Sequence, residues 1–423
     1  MMLLAAAALF VVLVILGIPI AMVFLAIAGF WIVMEPAVMD VAVAQRLVAG
    51  TQSFPLLAIP LFILAGELMN TSGITRRVMT FALLLTRRLT GGLAKTNVIL
   101  STLLSGMSGS ANGDAAMQSK ILVPQMTARG YPKPYSAALT ASSALIAPLI
   151  PPGISLILFG FVTDTSIGAL FAGAILPGLL LSVVLLLLVH VTAKRNRWDG
   201  PDKAPPLQRL GPAFLGALPA ILMPVLIIVG IRGGIFTPSE AGGLAVAYTL
   251  VFMLIYREAS LSGLLAALRS TISTTAAILL VLAASAAFTW VLTFERVPQA
   301  VGEALLATAS DPLSMMLLIS CILLIAGMIV EGTALILVLA PMFMPVATSL
   351  GIDPVQFGIV FVFMIHLGGI TPPVGTVMFT TCAITGVSVP SFARAVVPFI
   401  AAFLFTAALL IFIPSLSTWL ARF

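Results

Sequence analysis

The polar residues of this chain gather at four places in an otherwise apolar sequence: Ser108-Gly-Ser-Ala-Asn-Gly-Asp114, Ile150-Pro-Pro-Gly153, Glu331-Gly-Thr333 and Thr371-Pro-Pro-Val-Gly375. A double proline removes two backbone donors and forces the preceding residue out of the helical region, so carbonyls come free where a helix is interrupted. Such oxygens, together with hydroxyls and amides, suit a hard cation such as Na⁺. The helix that follows an interruption offers unpaired N–H groups and about half a positive charge to a carboxylate. Ser108, Ser110 and Asn112 could face the Pro151-Pro152 break, and Gly332 and Thr333 could face Thr371, Gly375 and Thr376. With Gly109 and Pro151 these form the candidate sodium set. Ser110, Asp114, Pro152, Ser155, Glu331 and Pro373 form the candidate set for an anionic substrate. The competing reading is that small polar residues only cap helices and let them pack closely.

Ionisable groups in apolar surroundings are costly enough to point first to function. Glu67, Asp114, Glu331 and Glu240 are of this kind. Asp114 and Glu331 could instead be charges at helix N-termini, and Glu67, close to Asn70 and Gly73, could reach water. His366 is either a proton site or a histidine packed between helices. Enzyme chemistry finds little support. Two His and two Cys offer no zinc site of ordinary make-up. No phosphate-binding loop, nucleophile elbow or His-Glu-x-x-His is present.

The elements that must position these residues are membrane helices. Of 423 residues, 61% are hydrophobic and 8% charged, with a mean hydropathy of +1.21. A soluble domain carries roughly a quarter of its residues charged. In lipid, apolar runs must be helical because every backbone polar group needs an internal partner. Spans are expected near 3–33, 54–70, 134–163, 167–191, 211–231, 241–256, 272–294, 355–384 and 391–415. The segments 97–127 and 313–346 have small or polar centres and read as re-entrant hairpins with tips buried in protein. The spans holding the double prolines read as pairs of half-helices. The first segment is expected to remain as one span with a cytoplasmic N-terminus, although Gly17 and Pro19 could fold it back. Cys321 and Cys382 both lie in apolar runs, so no disulfide framework is implied.

The hydrophilic linker Lys194–Pro206 divides the chain, and a constant spacing of 221 residues relates the halves. It carries Pro124 to Pro345, Thr127 to Thr348, Gly130 to Gly351, Pro151-Pro152 to Pro372-Pro373 and Pro177 to Pro398. Five expected crossings separate the hairpins, and an odd number inverts the second copy. Interrupted helices paired in inverted repeats are the mark of a secondary transporter with its site at mid-membrane. The net charge of +6 therefore reflects orientation rather than nucleic-acid binding. Arg76, Arg77, Arg87, Arg88, Lys95, Lys120, Arg129 and Lys133 put the first hairpin on the cytoplasmic side. Glu295, Glu303, Asp311 and Asp353 outnumber Arg296 around the second, which puts it outside. The arginine pairs bracket Val78–Leu85 and suggest a helix lying in the membrane interface.

Leu64-Ala-Gly-Glu-Leu-Met69, Ser108–Ala116, Gly130-Tyr131, Ile150-Pro-Pro152, Thr237-Pro-Ser-Glu-Ala241, Gly351-Ile-Asp-Pro354 and Ile370–Gly375 occur in order along the chain. Together they closely resemble the large membrane subunit of TRAP (tripartite ATP-independent periplasmic) transporters. The resemblance runs from about residue 3 to about 410. It implies an all-α polytopic protein with inverted repeats, working as an elevator in the bacterial inner membrane. It also implies Na⁺ as coupling ion with no organic cofactor, a small four-helix membrane subunit, and a periplasmic binding protein that delivers an organic anion. By motif position Ser108, Gly109, Ser110 and Asp114 belong to the first tip. Pro151-Pro152 form the first unwound segment and Thr371–Gly375 the second. Gly153 stands where a serine often follows the first double proline, and Met364 where an asparagine is common before the second. Side-chain ligation is in doubt at both, while backbone ligation is unaffected. The alternative is a stand-alone ion-coupled carboxylate transporter. The expected divisions are scaffold at 1–96, first transport repeat at 97–191, linker and scaffold at 192–312, second transport repeat at 313–398 and a C-terminal span end at 399–423.

Overall fold

The computed structural model describes residues 2–35, 40–198 and 210–422, so much of the hydrophilic linker lies outside it. Within these residues all regular structure is helical. The chain opens with α1 (Met2–Ile15), α2 (Ile20–Met34) and α3 (Asp40–Ala49). A 3₁₀ turn (Phe54–Leu57) then leads into α4 (Ala58–Thr71) and α5 (Ile74–Thr86). The first hairpin is α6 (Gly92–Ser108) and α7 (Ala111–Ala128). The first broken span is α8 (Lys133–Ala144) and α9 (Ile154–Val162). Four uninterrupted helices follow: α10 (Ile167–Asn196), α11 (Leu210–Arg232), α12 (Pro238–Ile255) and α13 (Leu261–Phe294). After α14 (Val297–Thr308) comes the second hairpin, α15 (Pro312–Gly327) and α16 (Gly332–Ser349). The second broken span is α17 (Pro354–Gly368) and α18 (Thr376–Thr385), and α19 (Val389–Phe412) and α20 (Ser415–Arg422) end the chain.

The spacing of 221 residues carries α7 onto α16 residue for residue, so the repeat is one of structure as well as sequence. The Pro151-Pro152 and Pro372-Pro373 bonds are both cis. Among the described residues, seven helices are long and apolar enough to cross a membrane. One is α16, yet it starts inside the protein at a hairpin tip, so it is an arm and not a span. The helices α3, α14 and α20 were not anticipated. They are short, and their signal is amphipathic periodicity rather than an apolar run long enough to span a membrane.

The N-terminal segment departs from expectation. Gly17 takes a left-handed conformation (φ +75°), and the N–H groups of Gly17 and Ile18 close back on Val14 and Leu13 at 3.0 and 3.1 Å. That closure ends α1, and Pro19 opens α2. The Phe10 and Phe24 rings lie 6.4 Å apart. Along one unbroken helix residues so spaced would be about 21 Å apart. The segment is a folded-back pair of helices, not a single span. Phe288 stacks on both rings, and Trp31 Nε1 donates to Glu295 Oε1 at 2.9 Å just past the end of α13. Both ends of the pair therefore lie at the Glu295 end of α13.

The segment bracketed by the arginine pairs is helical and forms α5. Ile74, Val78, Phe81, Ala82 and Thr86 are buried along one stripe, and Phe81 meets Phe214 of α11 at 5.6 Å. Arg76 and Arg77 pair with Glu258 beyond α12, and the Arg77 guanidinium sits 3.7 Å over the Tyr256 ring. The helix braces uninterrupted spans and also packs on α6.

Buried polar bonds tie the first hairpin into one body. Gln118 Nε2 donates to Ser101 Oγ at 2.9 Å, and Ser101 donates back to Gln118 Oε1 at 3.1 Å. Asn97 donates to Thr140 Oγ1 at 2.6 Å and accepts from Ser143 at 2.7 Å, joining α6 to α8. In an apolar medium such pairs have no water to exchange with, so they fasten the arms to the broken span.

Candidate functional site

A cavity of about 100 Å³ lies where both hairpin tips meet both broken spans. Four helices begin at its wall: α7 at Ala111, α9 at Ile154, α16 at Gly332 and α18 at Thr376. Each N-terminus carries a partial positive charge and N–H groups without intrahelical partners. Two of the ends are capped from within. Ser110 Oγ accepts from Gly113 N at 3.3 Å, and the Glu331 carboxylate accepts from Thr333 N at 2.9 Å, Ala334 N at 3.3 Å and the Thr333 hydroxyl at 2.8 Å. At α9 and α18 no side chain caps the helix. Gly369 O accepts from Val377 and Met378, which leaves the α9 end the more open of the two. Glu331 and Asp114 offset two of these four converging ends, and the ends of α9 and α18, which carry no acidic residue, keep the cavity favourable for an anion.

The opposite helix ends bring carbonyls to the same region. The N–H of Gly375 donates to Met328 O at 3.0 Å, so the second tip is seated on the second break. At the first tip a Cβ on Gly109 would lie 2.7 Å from Pro152 O. Only glycine allows that approach at its positive φ of +55°. The Thr371 hydroxyl donates to Leu367 O at 2.8 Å, which leaves its oxygen lone pairs available as acceptors.

Of the residues singled out in the sequence, Gly109, Ser110, Asn112, Ser155, Glu331, Gly332, Thr333 and Thr376 line the cavity together. Pro151, Pro152, Thr371, Pro373 and Gly375 belong to the unwound segments behind it, and Asp114 is buried in the first turn of α7. The Ser108 side chain lies outside the described residues. Glu331 is a helix cap, so the helix-end role describes its present bonding. Glu67 accepts from Ser270 of α13 at 2.7 Å, and Glu240 completes a capping box with Thr237, both away from the cavity. Sequence reasoning missed Thr274 and Ile278 of α13, through which an uninterrupted span walls one side. The run Ser273-Thr274-Thr275 within an apolar helix was the available signal.

His366 joins the repeats. Its Nδ1 lies 2.7 Å from Val362 O, which can only accept, so Nδ1 carries the proton. Nε2 therefore accepts from the Ser155 hydroxyl at 3.2 Å, linking α17 to α9. A neutral bond of this kind contributes about 0.5–1.5 kcal/mol. His366→Phe should therefore lower expression-corrected uptake of the transported solute by about two- to tenfold, with His366→Gln intermediate. Equal uptake by all three proteins would show that the link positions nothing.

The family model described as "Tripartite ATP-independent periplasmic transporter, DctM component" matches residues 7–416. The sialic acid TRAP transporter large permease protein SiaM of Vibrio cholerae is 36% identical, over 84% of this chain and 83% of its own length. The 2,3-diketo-L-gulonate TRAP transporter large permease protein YiaN of Escherichia coli is 35% identical, over 95% and 94%. The C4-dicarboxylate TRAP transporter large permease protein DctM of Pseudomonas aeruginosa is 34% identical, over 89% and 88%. Among solved structures the YdaH transporter of Alcanivorax borkumensis shares the fold. Its TM-score is 0.64 at 17% identity, covering 86% of both chains. The cavity, the inverted repeats and these relatives converge: the chain belongs to the tripartite ATP-independent periplasmic transporters as a large, DctM-type permease, a multi-pass protein of the bacterial inner membrane and not an enzyme.

Proposed function

We propose that this permease imports a small organic anion, such as a dicarboxylate or sugar acid, together with Na⁺. In this reading the anion is handed over by a periplasmic binding protein, and a small four-helix membrane subunit completes the complex. The observation that carries the proposal is the convergence of four helix N-termini on one cavity backed by two unwound segments. A carboxylate fits the N-termini, above all the uncapped end of α9. Na⁺ fits the carbonyl-rich seams at Gly109–Pro152 and Met328–Gly375. Among the described residues no cluster of His, Cys, Asp and Glu could hold a metal ion, so the ligands left are hydroxyl and carbonyl oxygens. Relatives named for sialic acid, a diketo-sugar acid and C4-dicarboxylates are consistent with an anionic cargo.

The test is uptake into proteoliposomes holding both membrane subunits, with the binding protein outside and a panel of organic acids. Uptake should need a sodium gradient and the binding protein. Uptake that persists without the binding protein would favour a stand-alone carboxylate transporter instead. Losing one oxygen near a charged ligand costs about 1.5–3 kcal/mol. Thr371→Ala and Ser110→Ala should accordingly raise the sodium concentration for half-maximal uptake about tenfold or more, with insertion unchanged. An unaltered sodium dependence in both variants would end the sodium assignment at these positions.

A further inference from the structure

We propose that a second cavity, at the cytoplasmic end of the seam between α7 and α18, is an anion-collecting vestibule through which a carboxylate leaves the central site. The carboxylate part of this inference rests on the function proposed above. The vestibule has a volume of about 640 Å³, and its wall includes Ser119, Lys120, Pro124, Thr127, Lys133 and Thr385. No Asp or Glu belongs to that wall. The Lys133 ammonium projects toward Gly386, where an added Cβ would lie 3.8 Å from Nζ.

Its place along the seam gives it meaning. Asn112 of α7 and Thr376 of α18 line the central cavity. Next along the seam the Thr380 hydroxyl donates to Asn112 Oδ1 at 3.5 Å, a long bond across the two repeats. Beyond that bond lie Thr385 on α18 and Lys120 on α7, the latter about 12 Å from Asn112 along the helix axis. Parting α7 from α18, which also pack against each other, would break this long bond and join the central cavity to the two lysines.

The inverted repeat supplies an internal control. A cavity of about 720 Å³ lies between α9 and α16 on the opposite face. The spacing of 221 residues carries Pro124 and Thr127 onto Pro345 and Thr348 in its wall. The same spacing carries Lys120 to Pro341, Lys133 to Pro354 and Thr385 to Asp164, and Asp353 is a further acid of that outer wall. The shape of the vestibule thus belongs to the repeat, while its charge is specific to the cytoplasmic copy. The positive-inside bias accounts for lysines on cytoplasmic segments. It does not account for two of them in the wall of one cavity that holds no acid. An anion leaving the positive ends of α7, α9 and α18 meets water and lysine ammonium groups in place of bare hydrocarbon, which lowers the barrier to release.

The charge of the vestibule can be read without knowing the substrate. In full-length protein with Cys321→Ser and Cys382→Ser, Thr127→Cys reports from the inner vestibule and Thr348→Cys from the outer cavity. The probes are the anionic sulfonatoethyl and the cationic trimethylammonioethyl methanethiosulfonates. Relative to a free thiol, Thr127→Cys should favour the anionic reagent by about tenfold. Lys120→Gln with Lys133→Gln should remove that preference, and the Lys→Arg pair should keep it. Thr348→Cys should favour the cationic reagent. The Gln pair should also slow sodium-driven uptake severalfold, with the Arg pair near wild type. A preference absent at Thr127→Cys, or one that survives the Gln pair, overturns the vestibule, as does unchanged uptake by a Gln pair that has lost the preference. If the lysine-dependent preference is present but the wild-type complex moves no carboxylate, the cargo proposed above is overturned and the anion-collecting vestibule stands.

Discussion

Gly368→Ala should cut uptake at least tenfold while leaving the protein inserted. A Cβ at Gly368 would lie 2.3 Å from the carbonyl carbon of Gly327 and 2.6 Å from its Cα. Both atoms are backbone, so neither can swing aside as a side chain would. The ends of α15 and α17 would have to separate by about 1 Å to reach ordinary contact, and overpacking of this kind costs about 1–3 kcal/mol. The displacement falls where it matters. Gly327 lines the central cavity, and the next residue, Met328, holds the second break through its bond to Gly375. Every fold in uptake beyond what stability explains therefore measures the geometry of the carbonyl seam. Gly243→Ala on α12 is the matched control, because nothing lies within 4 Å of a Cβ there. In a helix interior that change is worth up to about 1 kcal/mol in favour of alanine. Thermal unfolding in detergent separates the two contributions. Wild-type uptake by Gly368→Ala would mean that the seam has no part in transport.

The repeats, the tips and the breaks were legible in the sequence because each rests on residues with few alternatives. A double proline cannot continue a helix, and a cluster such as Ser108–Asp114 cannot face lipid. The constant spacing then tied each feature to its mate and fixed the inversion by counting crossings. Sidedness at the N-terminus was harder, because the residues flanking Gly17 and Pro19 are apolar and serve a kinked span or a folded-back pair equally well. The phenylalanine stack against α13 decides between them, and that is a tertiary contact with no local signature. The role of Glu331 shows the same boundary. Sequence placed a carboxylate at the second tip, but only geometry shows both of its oxygens engaged by the start of α16. The run Ser273-Thr274-Thr275 stands out as polar, but its place at the cavity was hidden for a further reason. It sits in an uninterrupted helix far from both motifs, and only packing brings it to the cavity.

That placement leads to the second large effect. A transporter that works as an elevator needs a moving body that holds the site and a stationary one that it slides along. Hairpins and broken spans meet at the cavity and hold one another through Asn97, Ser101 and His366. The opposing wall, Thr274 and Ile278, belongs to α13, which packs on α2, α3 and α4. If the two bodies slide, Thr274 and the second tip are neighbours in one state only. Joining Thr274→Cys to Thr333→Cys with a short reducible bis-methanethiosulfonate, in protein lacking Cys321 and Cys382, should therefore stop uptake by tenfold or more, and reduction should restore it. Blockage of the cavity by the linker is a separate matter, and each single cysteine carrying the same reagent controls for it. A second pair, within the moving body, Asn112→Cys with Thr380→Cys, spans the long bond between α7 and α18. Linking it should trap the inner seam closed, so that sodium and substrate bind but exchange ceases. Normal uptake by the linked Thr274–Thr333 pair would mean that α13 travels with the tips, and the division into sliding and stationary bodies would have to be abandoned.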